Sequence, residues 1–184
     1  MLGIHPARSA SMNILAVTAA DSHWLPALGA LLQRTVDGGA SLGFLAPLPA
    51  HAARGYWEGV LARLGDGLQL WLAEEDGQLL GCVQLAPCTR ANGRHRGEVQ
   101  KLMVDPASRG RGVARALLAA LEAHACARGL RLLVLDTEKD SPAQAVYTRL
   151  GWQRAGEIPD FALRADASSL AATVLFFKQP AVAA

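Results

Sequence analysis

Aromatic residues, cysteine and net charge are all scarce in this 184-residue sequence, and each shortage excludes a class of protein. Aromatic residues make up 5% of the chain and charged residues 18%, and 18 Lys and Arg against 16 Asp and Glu leave a formal charge of +2. A charge this small excludes a surface that binds nucleic acid or an anionic membrane over its whole extent. Any site for a polyanion must therefore be local.

Cysteine is limited to Cys82, Cys88 and Cys126, which form no Cys-x-x-Cys pair and have no histidine at zinc-ligand spacing. This pattern predicts reduced thiols in a cytoplasmic protein and neither a disulfide framework nor a zinc site. The five histidines share no ligand spacing either, so we expect no bound metal.

Long apolar runs are missing as well. No stretch reaches the 18 apolar residues that a membrane span needs, and the first eleven residues lack the apolar segment of a secretory signal. We expect residues 1–11 to be a loose leader. Because 51% of the residues are apolar, residues 12–184 contain enough material for the core of one soluble domain.

Apolar periodicity and turn residues predict a mixed α/β chain with one parallel strand-helix-strand crossover over 98–136. Asp76-Gly77 is typical of a two-residue hairpin. Ser141, Pro142 and Gln144 predict an N-cap, a proline in the first helical turn and a glutamine that caps in return. The predicted strands are 12–17, 68–73, 79–85, 98–104, 130–136 and 173–178, and the predicted helices are 22–36, 51–64, 112–128 and 142–150.

The most informative segment is the turn between the strand at 98–104 and the helix from 112. Seven Lys or Arg and two acidic residues lie between Thr89 and Arg115, so the small net charge is concentrated here. A glycine-bearing turn that opens a helix leaves several backbone N–H groups unpaired and directed at one point. Without a Cβ, Gly110 and Gly112 allow a ligand close to the backbone. The pattern predicts a phosphate site, the alternative being a glycine turn with solvated arginines.

Arg109, Gly112 and Ala114 resemble the Arg/Gln-x-x-Gly-x-Gly/Ala signature of the GNAT superfamily of N-acetyltransferases. The family's fourth helix, Ala-x-x-x-Tyr-x-x-x-Gly-Phe, is similar to the run from Ala143 through Tyr147 to Gly151-Trp152. The resemblance extends over residues 12–178. It implies the GNAT fold, a mixed central sheet of about seven strands flanked by about four helices. Segments 35–44, 98–104 and 135–138 further resemble a subfamily that acetylates a β-lactam amino acid toxin.

The resemblance also implies a site for acetyl-coenzyme A. The turn would hold the pyrophosphate, the backbone of the fourth strand would bind the pantetheine arm, and Asp140 stands where the family often has an asparagine that reaches toward that arm. The implied cofactor contacts are Leu102, Met103, Val104, Arg109, Gly110, Arg111, Gly112, Val113, Ala114, Arg115, Thr137, Ser141 and Tyr147.

Three residues are candidates for the chemistry. By the resemblance, Glu98 and Asp136 take the proton from the substrate ammonium through water. Since Glu98 starts its strand and Asp136 ends the next, direct contact between them is not guaranteed. Tyr147 is the candidate acid, because a phenol with a pKa of about 10 keeps its proton at neutral pH and can protonate a thiolate. The alternatives are an ion pair of Glu98 with Arg96 or Lys101, a turn cap for Asp136 and a core position for Tyr147.

The acceptor site is expected between the first two predicted helices. The resemblance implies that the segment between the first two helices borders the acceptor site, so Asp37, Ser41 and Phe44 are the candidate substrate contacts. We expect a primary amine of a small, amino-acid-like or toxin-like molecule, no nucleic-acid or membrane partner, and possible homodimers. A non-catalytic acyl-coenzyme A sensor, a protein or peptide N-acetyltransferase and a nucleic-acid binder are the alternatives.

Overall fold

The computed structural model describes residues 11–180, in which seven strands form one sheet with the order β1-β2-β3-β4-β5-β7-β6. The predicted leader therefore lies, except for its last residue, outside the described residues. The strands are β1 (Asn13–Ala16), β2 (Gln69–Glu75), β3 (Gln78–Pro87), β4 (Arg96–Val104), β5 (Leu132–Glu138), β6 (Gln153–Leu163) and β7 (Leu170–Lys178). The helices are α1 (Leu25–Asp37), α2 (Ala50–Leu61), α3 (Val113–Ala127) and α4 (Pro142–Arg149).

The sheet is mixed, as predicted: β4 and β5 pair in parallel across the α3 crossover, and the other neighbouring strands are antiparallel. Asp76 and Gly77 form the two-residue loop between β2 and β3, with φ of 49° and 77°. Positive φ at both central residues is what a type I′ hairpin turn requires. The hairpin prediction is thus confirmed.

Two hydrophobic cores lie on opposite faces of the sheet. On one, here called the α3 face, Leu117, Leu118 and Leu121 of α3 pack on apolar side chains that include Leu133 and Leu135 of β5. On the other, the α1 face, α1 and α2 cover the residues of β2, β3 and β4 that alternate with those of the first core. Alternating strand side chains explain why one sheet supports both cores. Within the described part of the chain no helix has the length and hydropathy to cross a membrane.

The sequence prediction missed β6. Nearly all of its side chains are exposed, it contains Pro159, and its register against β7 shifts twice. It is also an edge strand, where proline and missing apolar alternation are tolerated because only one side is paired. No periodicity of two was available to predict it.

Candidate functional site

A gap opens between β4 and β5. Their parallel ladder runs only from Arg96 opposite Leu132 to Glu98 opposite Val134, although β4 continues to Val104 and β5 to Glu138. Beyond the ladder, among residues 11–180, β4 pairs with β3 alone. Consequently the backbone of Leu102, Met103 and Val104 has one edge directed into the gap, as the fourth-strand prediction requires.

A bulge in β4 accompanies this separation. Cys82 and Gln84 of β3 are two positions apart, whereas their partners Met103 and Gln100 are three apart, so β4 contains one extra residue. Lys101 lies in this stretch with a φ of 51°. An extra residue bends a strand and redirects its side chains, which is a recurring feature next to active sites.

The glycine turn ends at the first residue of α3. Gly110 and Gly112 have φ of 77° and 82°, and a Cβ at either would meet no heavy atom of the described residues within 4 Å. Gly112 is the N-cap and provides no side chain to cap the helix. The N–H groups of Val113, Ala114 and Arg115 are among those that an α-helix leaves without intrahelical partners, and the helix dipole adds positive potential. This arrangement can bind a phosphate group.

The arginines of the turn are not equivalent. Arg111 donates to both carboxylate oxygens of Glu75 at 2.7 Å, and both groups are partly exposed. Arg109 and Arg115 form no ion pair with any residue in the range 11–180. The uncompensated positive charge beside α3 therefore comes from Arg109 and Arg115.

Glu98 and Asp136 both lie on the α1 face. Glu98 is opposite Val134, and Asp136 follows two residues later on the same face, roughly 7 Å farther along the strand direction. Asp136 accepts a hydrogen bond from the Thr173 hydroxyl at 2.8 Å, so the turn-cap alternative is not what the structure shows. No side chain between residues 11 and 180 forms an ion pair with Glu98, including Arg96 and Lys101.

Tyr147 lies on the α3 face with 6% of its surface exposed. Its ring is 5.8 Å from that of Trp152 and 6.0 Å from that of Phe176, measured between centroids. Burial raises the pKa of Tyr147, and the negative charge of Asp136 raises it further. The phenol therefore stays protonated at neutral pH. The two predicted bases are on the α1 face, on the strands β4 and β5 that border the gap, whereas the predicted acid is on α4 at the α3 face.

The start of α4 differs from the predicted capping box. Pro142 is in the first turn, as predicted, but Ser141 makes no side-chain cap hydrogen bond; its hydroxyl lies 3.2 Å from that of Thr137. The Gln144 side chain accepts from the N–H of Asp140 at 3.0 Å, so it caps one residue earlier than predicted. The N–H of Ser141 donates instead to the carbonyl of Glu138 at 3.3 Å, so Gln144 accepts from Asp140, whose backbone is left-handed with a φ of 61°.

The loop between α1 and α2 contacts the α1 face near the bulge. Asp37 accepts from the N–H of Leu48 at 2.9 Å, so one of its carboxylate oxygens closes this loop. Phe44 packs edge-on against Tyr56 with 5.4 Å between ring centroids. Ser41 is partly buried in the same loop. Of the three predicted substrate contacts, Phe44 adjoins Lys101, whose ammonium nitrogen is 5.8 Å from its ring centroid.

Sequence reasoning missed the residues of a cavity of about 400 Å³ on the α1 face. Its polar walls are formed by Tyr56, Arg63, Gln84, Gln100 and Lys101. Gln84 is 1% exposed, in a strand whose other buried residues are apolar or glycine. A glutamine at an inward position of such a strand was the available signal, because a buried amide needs polar partners.

Comparisons with known proteins agree on one family. The model of the acetyltransferase (GNAT) family matches residues 42–152. A mycothiol acetyltransferase of Amycolatopsis mediterranei is 42% identical over 89 residues, which are 46% of this chain and 30% of that protein. The chain thus spans under a third of the length of that relative.

Solved structures share the fold. A ribosomal-protein-alanine N-acetyltransferase from Brucella melitensis superposes with a TM-score of 0.71 and 24% identity, covering 91% of this chain and 99% of that one. A protein from Salmonella typhimurium, solved with its cofactor acetyl-coenzyme A, gives a TM-score of 0.71 at 19% identity and covers 94% and 96% of the two chains. The predicted seven-stranded α/β fold is confirmed.

Proposed function

The chain belongs to the acetyltransferase (GNAT) family, and on that premise we propose that it is an acetyl-coenzyme A-dependent N-acetyltransferase for a primary amine of a small, amino-acid-like molecule. The observation that carries the proposal is the gap between β4 and β5. The gap adjoins the unpaired N–H groups of the glycine turn, the strands beside it place Glu98 and Asp136 on one face, and α4 places Tyr147 on the other.

The residues around the gap fit the coenzyme. A Cβ at Gly110 or Gly112 would occupy the open space beside the helix N-terminus, where a pyrophosphate would accept from backbone N–H groups. Acetyl-coenzyme A would supply the acetyl group as a thioester. In this proposal Arg109 and Arg115 neutralise the phosphates, and Arg111 lies beside them with its charge compensated by Glu75. The edge of β4 from Leu102 to Val104 holds the pantetheine arm, and Thr137 and Ser141 line the other side.

The proposed roles of the chain's own side chains follow from their positions. Glu98, without an ion-pair partner between residues 11 and 180, accepts the proton of the substrate ammonium through water. Asp136, held by Thr173, assists as a second acceptor. Tyr147 keeps its proton because burial raises its pKa, and it donates that proton to the departing thiolate.

A small acceptor is supported by the relatives that are named mycothiol acetyltransferases and by the resemblance of segments 35–44, 98–104 and 135–138 to the toxin-acetylating subfamily. A protein or peptide acceptor is the second candidate, supported by the structural likeness to a ribosomal-protein-alanine N-acetyltransferase.

Homodimers stay part of the proposal. Large apolar side chains exposed on β6 and β7, among them Phe161 at 52% and Leu170 at 55%, would be covered in a dimer, which light scattering would detect.

The test is a thiol-release assay with acetyl-coenzyme A and a panel of amino acids, polyamines, antibiotics and peptides. Glu98→Gln should lower kcat/KM by about 100-fold, since general base catalysis contributes roughly 10²- to 10⁴-fold. Glu58→Gln, which removes an exposed carboxylate on α2, is the matched control and should behave as the parent protein. Calorimetric binding of the coenzyme without acetylation of any amine would favour the sensor alternative instead.

A further inference from the structure

The cavity on the α1 face is lined by two cations, and none of the described residues that line it is acidic. Arg63 comes from the turn that follows α2, and Lys101 comes from the bulge of β4. A volume of about 400 Å³ is within the range of small-molecule sites. The cavity is therefore large enough for a compact metabolite, and its lining side chains carry positive charge.

The cavity adjoins the predicted base. Gln84 of β3 is opposite Gln100 of β4, and Ala86, another wall residue, is opposite Glu98. Residues opposite each other in an antiparallel pair present their side chains on the same face. An acceptor whose amine lies at Glu98 would thus extend the rest of its structure into the cavity.

The buried wall of the cavity is fixed by hydrogen bonds. The Tyr56 hydroxyl lies 3.2 Å from Oε1 and 3.1 Å from Nε2 of Gln84. Burial raises the pKa of Tyr56 to about 12, so the hydroxyl keeps its proton at neutral pH. Lys101 donates to the carbonyl of Leu42 at 2.8 Å, and its ammonium nitrogen is 5.7 Å from the Tyr56 ring centroid. These contacts hold the wall in place before any acceptor enters.

Lys101 and Arg63 differ in how much negative charge lies near them. Asp136 and Glu98 lie close enough to Lys101 for their negative charge to raise its pKa against the larger, lowering effect of burial. Arg63 donates its Nε–H to the carbonyl of Gly59 at 3.0 Å and forms no ion pair with any residue in the described range 11–180. Its terminal N–H groups are therefore available for a carboxylate, which a guanidinium binds through paired hydrogen bonds.

We propose that this cavity is a carboxylate subsite, so that the acceptor carries both a primary amine and a carboxylate group. Arg63 binds the carboxylate, Lys101 adds positive charge, and the amides of Gln84 and Gln100 contact polar groups between the two ends. The assignment of the amine to Glu98 rests on the proposed acetyltransferase function. Binding of a carboxylate in the cavity does not depend on it.

The experiment compares amino acids with their carboxamides, such as L-methionine with L-methioninamide and L-lysine with L-lysinamide. Thiol release measures turnover, and ligand-detected NMR measures binding without turnover. The parent protein should favour acids over amides, and Arg63→Gln should reduce that preference by at least about tenfold, the loss expected for a single charge-assisted hydrogen bond of the pair. Arg54→Gln, at an exposed arginine of α2 paired with Glu58, is the control and should keep the preference.

The outcomes separate the two proposals. Turnover with equal use of acids and amides, or a preference that Arg63→Gln leaves intact, refutes the carboxylate subsite and leaves the acetyltransferase proposal standing. Binding of acids that depends on Arg63, without turnover of any amine, supports the subsite and refutes the catalytic function. Unchanged thermal unfolding and coenzyme binding in Arg63→Gln show that the fold is intact.

Discussion

Tyr147→Phe separates the acid role of this tyrosine from its packing role. The ring is 6% exposed and packs against Trp152 and Phe176, and phenylalanine preserves those ring contacts. Burial and the charge of Asp136 account for the raised pKa of Tyr147, with no hydrogen bond among the causes, so removal of the hydroxyl should leave no polar partner between residues 11 and 180 unsatisfied. We expect the free energy of unfolding to change by less than about 1 kcal/mol.

The expected loss is instead in the chemical step. Because general acid catalysis contributes roughly 10²- to 10⁴-fold, kcat should fall by about 100-fold while KM for acetyl-coenzyme A stays within about threefold. The measurement is steady-state thiol release, accompanied by thermal unfolding. For a chain of this size a change of 1 kcal/mol moves Tm by about 2–4 °C, so the fold is readily checked.

The pH dependence of kcat gives a second readout. Burial and the charge of Asp136 raise the pKa of Tyr147, so the phenol of the parent protein should stay protonated, and able to act as the acid, up to at least about pH 10. Thr148→Ala, one residue along α4 and exposed, is the control and should leave kcat unchanged. A Tyr147→Phe protein with the kcat of the parent would refute the acid role and leave a core tyrosine.

Three further predictions concern stability and reactivity. Gly112→Ala should cost about 1–2 kcal/mol and weaken coenzyme binding in calorimetry, because its Cβ meets no atom but its φ of 82° is left-handed; unchanged Tm would contradict this. Leu121→Ala, at a fully buried side chain, should destabilise by about 2–5 kcal/mol in denaturant unfolding, whereas Leu163→Ala, 42% exposed, should cost far less. Iodoacetamide should modify Cys88 before Cys82 in intact-mass measurements. Burial raises the pKa of Cys82, while hydrogen bonding to the backbone of Arg90 lowers that of Cys88, so its thiolate forms at a lower pH; equal rates would contradict this.

Much of the fold could be predicted because local signals and packing agree. Asp76-Gly77 forms the predicted turn, and the crossover from β4 to β5 is parallel as predicted. β6 could not be predicted, since its exposed side chains lack a period and its pairing with β7 depends on a strand already in place.

The site was predictable only in part. The glycine turn and Tyr147 lie in local sequence patterns, whereas the bulge at Lys101 follows from the register against β3, which no single segment specifies. The cavity joins Tyr56 of α2 with Gln84 and Gln100 of two strands, residues that only tertiary structure brings together. Likewise Arg111 is engaged by Glu75, a partner 36 residues away in the chain.

The gap between β4 and β5 has a kinetic consequence for the proposed enzyme. Its two substrates would approach from different faces of the sheet, the coenzyme beside α3 and the amine beside α1, so neither occupies the path of the other. Both can then be bound at the same time, and acetyl transfer needs no covalent acyl-enzyme. Initial-rate plots at varied concentrations of both substrates should give intersecting lines, the pattern of a ternary complex, and parallel lines would indicate a ping-pong route that this architecture does not require.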